Sequence, residues 1–328
     1  MINDQESNLL VLNNTKERTI MTKITELLGI QYPIFQGAMA QISTSQLVAA
    51  VSNAGGLGII ASGGMSGEQL KQEIDKTRTL TDKPFAVNVM LMMENCDEII
   101  DVIIANNVKI ITTGAGTPKR YMSRLKEANI IVIPVVPSAK LAKKMEDLGV
   151  DAVVAEGMEA GGHIGEVATM PLVTAVTNAV TIPVLAAGGI ASGKSMAAAF
   201  ALGASGVQMG TVYLGSEECP IAQEYKNKVI ESVETSTVVT GRKNGAPVRT
   251  IRNEMTAHYI ELENKDVARE ELEKLTMGSL TKAVVDGDVE NGSLMAGQIV
   301  CQVNKLKSVK EIHEEILNDY RKVVLPEL

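Results

Sequence analysis

A histidine and three carboxylates gathered on one glycine-rich stretch mark the place in this sequence best suited to chemistry. Residues 156–166 read EGMEAGGHIGE and follow the apolar run Ala152, Val153, Val154 and Ala155. Glycines let a backbone approach a ligand closely, and an imidazole titrates near neutrality, so it can take or give a proton. His163 is thus the candidate catalytic residue, although the same residues also suit a plain strand-to-helix connection. Two further stretches suit an anion. PVLAAGGIAS (183–192) and VQMGT (207–211) each leave an apolar run and end in Gly188, Gly189 and Gly210, whose backbone N–H groups can face a phosphate, with the Thr211 hydroxyl beside them.

Such loops need a scaffold. Short apolar runs recur at 32–36, 57–61, 85–90, 109–113, 130–136, 152–155, 183–187 and 206–209. Most are continuously apolar, as strands buried on both faces of a parallel sheet are. Amphipathic segments lie between them, for example 45–51, 66–77 and 118–128, with Ser66 and Gly149 as cap signals. The glycines Gly37, Gly63, Gly64, Gly114, Gly116, Gly161, Gly162, Gly188, Gly189 and Gly210 follow strand after strand. A doubly wound sheet concentrates its site at one switch point, whereas a barrel uses every loop at its C-terminal mouth. The expected fold is therefore an α/β TIM (β/α)8 barrel. Residues 217–280 break this beat, read mainly as helix, and carry Arg242, Lys243, Arg249 and Arg252 in a polar stretch. They are expected to form a small, mainly helical helper or lid domain inserted late in the chain. The expected boundaries are a disordered extension over 1–20, a barrel over 21–215 and 286–328, and a helper over 216–285. The helical pattern that opens at Met21 makes that residue the expected natural start.

A phosphate site on the seventh and eighth strands, with no GxGxxG after a first strand, points to a cofactor with one terminal phosphate, of which FMN is the redox member. Asn88 offers an amide to the edge of its ring, and residues 36–39 offer backbone groups.

The chain has 328 residues, 45 % of them hydrophobic, which is enough for a large core. A net charge of −8 with no basic stripe argues against nucleic acid and anionic membranes as partners. Cys96, Cys219 and Cys301 are widely spaced, which fits free thiols in a reducing cytoplasm and no zinc site. No apolar stretch is long enough to span a bilayer.

The ordered motifs YPIFQGAM (32–39), NAGGLG (53–58), TTGAG (112–116), IPVVPS (133–138), EGMEAGGHIG (156–165) and AAGGI (186–190) resemble the nitronate monooxygenase superfamily. Within it the chain is most similar to flavin-dependent enoyl-acyl-carrier-protein reductases of the FabK type. The resemblance implies an FMN-bearing barrel that takes hydride from NADH or NADPH and passes it to the β-carbon of a trans-2-enoyl thioester in fatty acid synthesis. It implies cofactor contacts from Gln36, Gly37, Ala38, Asn88, Glu159, Gly161, Gly162, Ala187, Gly188, Gly189, Gln208, Met209, Gly210 and Thr211, with His163 as the active-site histidine. Its partners would be enoyl-acyl carrier protein or enoyl-CoA, with a homodimer possible. The alternative is a nitronate monooxygenase using FMN and O2. The chain departs from the family pattern at residues 38–41, Ala-Met-Ala-Gln, which bears on the acyl channel.

Overall fold

A computed structural model describes residues 20–324. The extension expected over 1–20 lies, apart from Ile20, outside the described residues. Eight parallel strands form one sheet: β1 (Ile34–Gln36), β2 (Gly58–Ala61), β3 (Phe85–Met90), β4 (Ile110–Gly114), β5 (Ile131–Val136), β6 (Val153–Glu156), β8 (Val184–Ala187) and β9 (Gly206–Met209). They match the eight apolar runs. β1 joins β9 on one side, and on the other a parallel bridge between Phe35 and Leu57 closes the sheet toward β2. The result is the expected TIM barrel. Around it run α2 (Ser45–Asn53), α3 (Gly67–Leu80), α4 (Cys96–Ala105), α5 (Met122–Glu127), α6 (Ala139–Asp147), α7 (Thr169–Ala179) and α8 (Gly193–Ala201). Ser66 caps α3, its hydroxyl accepting from the Gln69 N–H at 3.2 Å. Helix α6 ends at Asp147 with Leu148 as its C-cap, and Gly149 follows at φ 82°.

Side chains divide between two cores. Residues on the outer face of the strands pack against the helices. The inner core contains Phe35, Ile59, Ala86, Ile110, Ile133, Val154, Leu185 and Ala187. Ile24 and Leu28 of α1 (Lys23–Leu28), with Ile30, belong to the same cluster and stop the barrel's N-terminal end. The helix is short, but Thr22 and Thr25 cap it reciprocally and Gly29 ends it at φ 66°.

The late segment holds α9 (Gln223–Ile230), α10 (Glu254–Asn264), α11 (Arg269–Thr276) and α12 (Ser279–Thr281), the last running into a wider helical turn over Lys282–Asp286. The polar stretch within this segment, read as mainly helical, contains a hairpin, β10 (Thr237–Thr240) and β11 (Val248–Ile251). Its edge pairs with β7 (Gly162–His163), a two-residue strand on the loop after β6. This third, small antiparallel strand was not predictable from periodicity because two residues carry none. The tail helix α13 (Val309–Tyr320) returns to pack on α8 and α2.

Candidate functional site

The singled-out glycines all lie at the C-terminal ends of barrel strands. Strand alternation decides which side chains look into this mouth. Ala86, Ile110, Val154 and Ala187 belong to the inner core. Asn88, Thr112 and Glu156, two residues beyond the first three, therefore face the lumen one layer higher. Gln208 faces it as well, since Val207 and Met209 lie in the outer core. Asn88 donates to the Thr112 hydroxyl at 2.9 Å across the β3–β4 pair. Glu156 lies beside Ala187, with no hydrogen-bond or ion-pair partner among the described residues, and burial pushes its carboxyl up to about 7. Glu156 begins the motif but was not among the expected cofactor contacts. The alternation from Val154 to Glu156 is the signal that identifies it.

The anion cradle is built of backbone. Gly188 and Gly189 take φ of 87° and 73°, a region that favours glycine. A side chain on Gly188 would strike the Gly157 carbonyl at 2.8 Å, and one on Gly189 the Glu159 carboxylate at 2.9 Å. Beyond them the N–H groups of Gly189 and Ile190, and on the next loop those of Gly210 and Thr211, find no acceptor among the described residues. Buried or half-buried donors left this way call for an outside acceptor. A Cβ on Gly210 would meet nothing nearer than the Met39 sulfur at 3.7 Å. The backbone donors fit an anion such as the phosphate of FMN, and Asn88, Thr112, Glu156 and Gln208 offer polar groups in the same mouth.

Other expected contacts have duties of their own. The Gln36 side chain is fully buried and fastens the first loop: its amide nitrogen donates to the Gly37 carbonyl and the Ser43 hydroxyl, and its oxygen accepts from the Ile59 N–H. Its backbone N–H is spent too, donating to the Leu57 carbonyl at 2.9 Å, so only its backbone carbonyl remains for a ligand. The Gly37 N–H donates to the Met209 carbonyl at 2.8 Å, and the Gln208 side chain packs on Gly37. Met209 turns its own side chain to the outer core, while Ala38 packs on the inner one. The Thr211 hydroxyl accepts from the Gly297 N–H at 2.8 Å and keeps its proton to donate. Glu159 accepts from the N–H of Thr169, the first residue of α7, at 3.1 Å, and so caps a helix that lacks a side-chain cap of its own. Gly161 packs so closely on the returning chain that a Cβ would lie 2.7 Å from the Ala296 carbonyl carbon.

His163 is exposed and held at the rim by β11, with Val248 as its ladder partner. Of the four basic residues expected in the polar stretch, Arg249 is buried, Lys243 pairs with Asp266 at 2.9 Å and Arg252 donates to the Thr235 carbonyl. They do not form one solvated basic face. Cys219 is buried away from the mouth loops, and burial pushes its thiol up to about 12, which removes it as a nucleophile.

A barrel whose last two strands end in glycine loops with open backbone donors, with a histidine at its rim, has the layout of a cofactor-dependent enzyme. Comparison with known proteins gives its family. The nitronate monooxygenase family model matches residues 21–99 and 92–319, and the chain belongs to that family of flavin oxidoreductases. A structure of FabK from Thermotoga maritima superposes with a TM-score of 0.90 at 47 % identity, covering 93 % of this chain and 97 % of that one. Over 72 % of this chain and 67 % of the relative, it is 40 % identical to a (3aS,4S,5R,7aS)-5-hydroxy-7a-methyl-1-oxo-octahydro-1H-indene-4-carboxyl-CoA dehydrogenase of Rhodococcus jostii (strain RHA1). A probable nitronate monooxygenase of Staphylococcus saprophyticus is 34 % identical over 85 % of this chain and 92 % of its own. Among the described residues no helix is long and apolar enough to cross a membrane.

Proposed function

We propose that this chain is an FMN-dependent reductase of trans-2-enoyl thioesters, drawing on NADH or NADPH and serving the last step of fatty acid elongation. Residues 21–215 and 286–328 would form the flavin barrel and 216–285 its lid. The observation that carries the reading is the junction of a backbone-donor cradle, a polar lumen layer and a rim histidine. The 47 % identity to FabK and the relative named for a carboxyl-CoA substrate support a thioester.

In this reading Gly189, Ile190, Gly210 and Thr211 hold the phosphate, while Asn88, Glu156 and Gln208 orient the ring. When bound, FMN supplies the centre that carries hydride from the nicotinamide to the substrate. His163 faces the substrate side, where its imidazole donates a proton to the α-carbon or a hydrogen bond to the thioester oxygen as negative charge develops there. Enoyl-acyl carrier protein and enoyl-CoA are the substrates expected.

Stopped-flow absorbance tests this directly. Reduction by NADH or NADPH should be followed by reoxidation with crotonyl-CoA faster than with oxygen. His163→Ala should slow the thioester step by about 10²- to 10⁴-fold while leaving the flavin spectrum. Turnover of propionate-3-nitronate without nicotinamide, together with indifference to enoyl thioesters, would transfer the assignment to nitronate oxidation, which the nitronate monooxygenase relatives favour.

A further inference from the structure

The rim histidine is held by the late segment rather than by the barrel, and one of the holding groups is a buried charge. Strand β7 consists of Gly162 and His163 alone, and its only ladder partner among the described residues is β11. The Ile164 N–H donates to the Pro247 carbonyl at 3.1 Å, continuing the attachment. Val248 stands opposite His163 and Arg249 opposite Gly162. Because neighbouring side chains alternate, the imidazole projects from one face of this ribbon and the guanidinium from the other.

Arg249 is 5 % exposed. Its Nε and Nη2 donate to one acceptor, the Met158 carbonyl, at 3.2 and 3.0 Å, and its Nη1 donates to Thr237 Oγ1 at 3.2 Å. No carboxylate among the described residues lies within ion-pair distance of it. Burial accordingly lowers its pKa, with Arg242 adding to the effect and Glu159 opposing it. Keeping a guanidinium out of water without a counter-ion is costly, so its retention asks for a role. Two N–H groups converging on one carbonyl fix both the position and the direction of that peptide, which a lysine cannot do. The peptide held is Met158–Glu159, inside the loop that runs from β6 to His163.

We propose that Arg249 is a positioning residue, a clamp from the late segment that grips the Met158 carbonyl behind the β6–β7 loop and thereby sets the orientation of the His163 imidazole. The inference rests on the role given to His163 above. It makes that role depend on the docking of the β10–β11 hairpin.

The test uses the full-length, FMN-reconstituted protein with Arg249→Lys, which keeps the charge but loses the fork, and Arg249→Met, which loses both. The His163 imidazole resonances, assigned by their loss in His163→Ala, should shift and broaden in both variants, with the flavin spectrum retained. The rate constant for reoxidation by crotonyl-CoA should fall about 10- to 100-fold, as misplacement of a reacting group costs, with KM changed far less. If Arg249→Met fails to fold, Arg249→Lys decides alone. Wild-type His163 resonances and titration in a folded variant would overturn the clamp. The resonances are read without turnover, so a wild-type enzyme that ignored enoyl thioesters would remove the proposed reaction and leave the clamp to be judged separately.

Discussion

Glu156 and His163 sit seven residues apart on one stretch, yet their surroundings give them opposite characters. Glu156 ends a barrel strand and looks inward, where burial raises its carboxyl to about 7, whereas His163 lies on the exposed rim. A carboxyl whose folded pKa stands above its unfolded value binds more protons in the native state between the two. It therefore costs stability as pH rises from about 4.5 through 7, by about 3 kcal/mol at full ionisation for a shift of this size. Glu156→Gln should raise the melting temperature at pH 8 and change it little at pH 4. The same substitution should flatten any dependence of FMN affinity on pH around neutrality, read by fluorescence titration of the apoprotein. An unchanged stability difference across that range would remove the buried carboxyl as the cause.

At the scale of elements, the mouth and the base of the barrel answer to different parts of the chain. The base is closed by α1, whose Ile24 is fully buried in the inner core. Ile24→Ala should cost about 2–5 kcal/mol in denaturant unfolding, the range for emptying a core site. FMN affinity should change little, because the cradle lies at the opposite end. The late segment meets the mouth loops at two points, through β11 on β7 and through Thr281 of α12, whose hydroxyl donates to Gln41 Oε1 at 3.0 Å. Gln41 holds φ 62° on a non-glycine backbone, within the stretch where the chain departs from the family pattern. Thr281→Val should leave stability within about 0.5 kcal/mol, as expected for an exposed contact, and lower the KM for long acyl thioesters more than for crotonyl-CoA if the contact narrows the entrance. A ratio of the two KM values unchanged from wild type would show that the entrance is set elsewhere.

Across the whole molecule, the tail is tied back to the first βα unit by a buried polar pair. His313 of α13 approaches the Ala54 carbonyl through Nδ1 at 3.1 Å and the Tyr213 hydroxyl through Nε2 at 2.8 Å. A carbonyl accepts only, so Nδ1 carries the proton and Nε2 accepts from the tyrosine. Burial pulls the imidazole down to about 4. The unfolded chain takes up this proton below about 6.5 and the native state does not until about 4, so stability present at neutral pH is lost as pH falls through that window, by about 3 kcal/mol in all. Thermal unfolding between pH 7 and 4 should show a steeper loss for the wild type than for His313→Gln, and parallel curves would assign the acid sensitivity to other groups. Tyr213 lies in the short helical turn Thr211–Gly215 that follows Gly210, so the same pair anchors the turn next to that loop.

The eight strands, most of their glycine corners and the histidine loop were legible because they are local: each strand is a short apolar run, and most are followed by glycines that free the backbone. Ser66, as a cap, and the FabK-like motifs were legible for the same reason. What the linear pattern did not carry was pairing between distant residues. The Gln36 side chain turned out to be spent on Ser43 and Ile59, Glu156 faced the lumen through the pleat of β6, and β7 existed only because a hairpin some 85 residues later supplied its partner. In sequence Arg249 is one of four basic residues in a polar stretch, and only the fold shows it buried against Met158. Composition and periodicity determine which segments become strands and helices, since those depend on neighbours in sequence. Which polar groups are left without partners, and so are free for a ligand, is decided by tertiary contacts that no single segment contains.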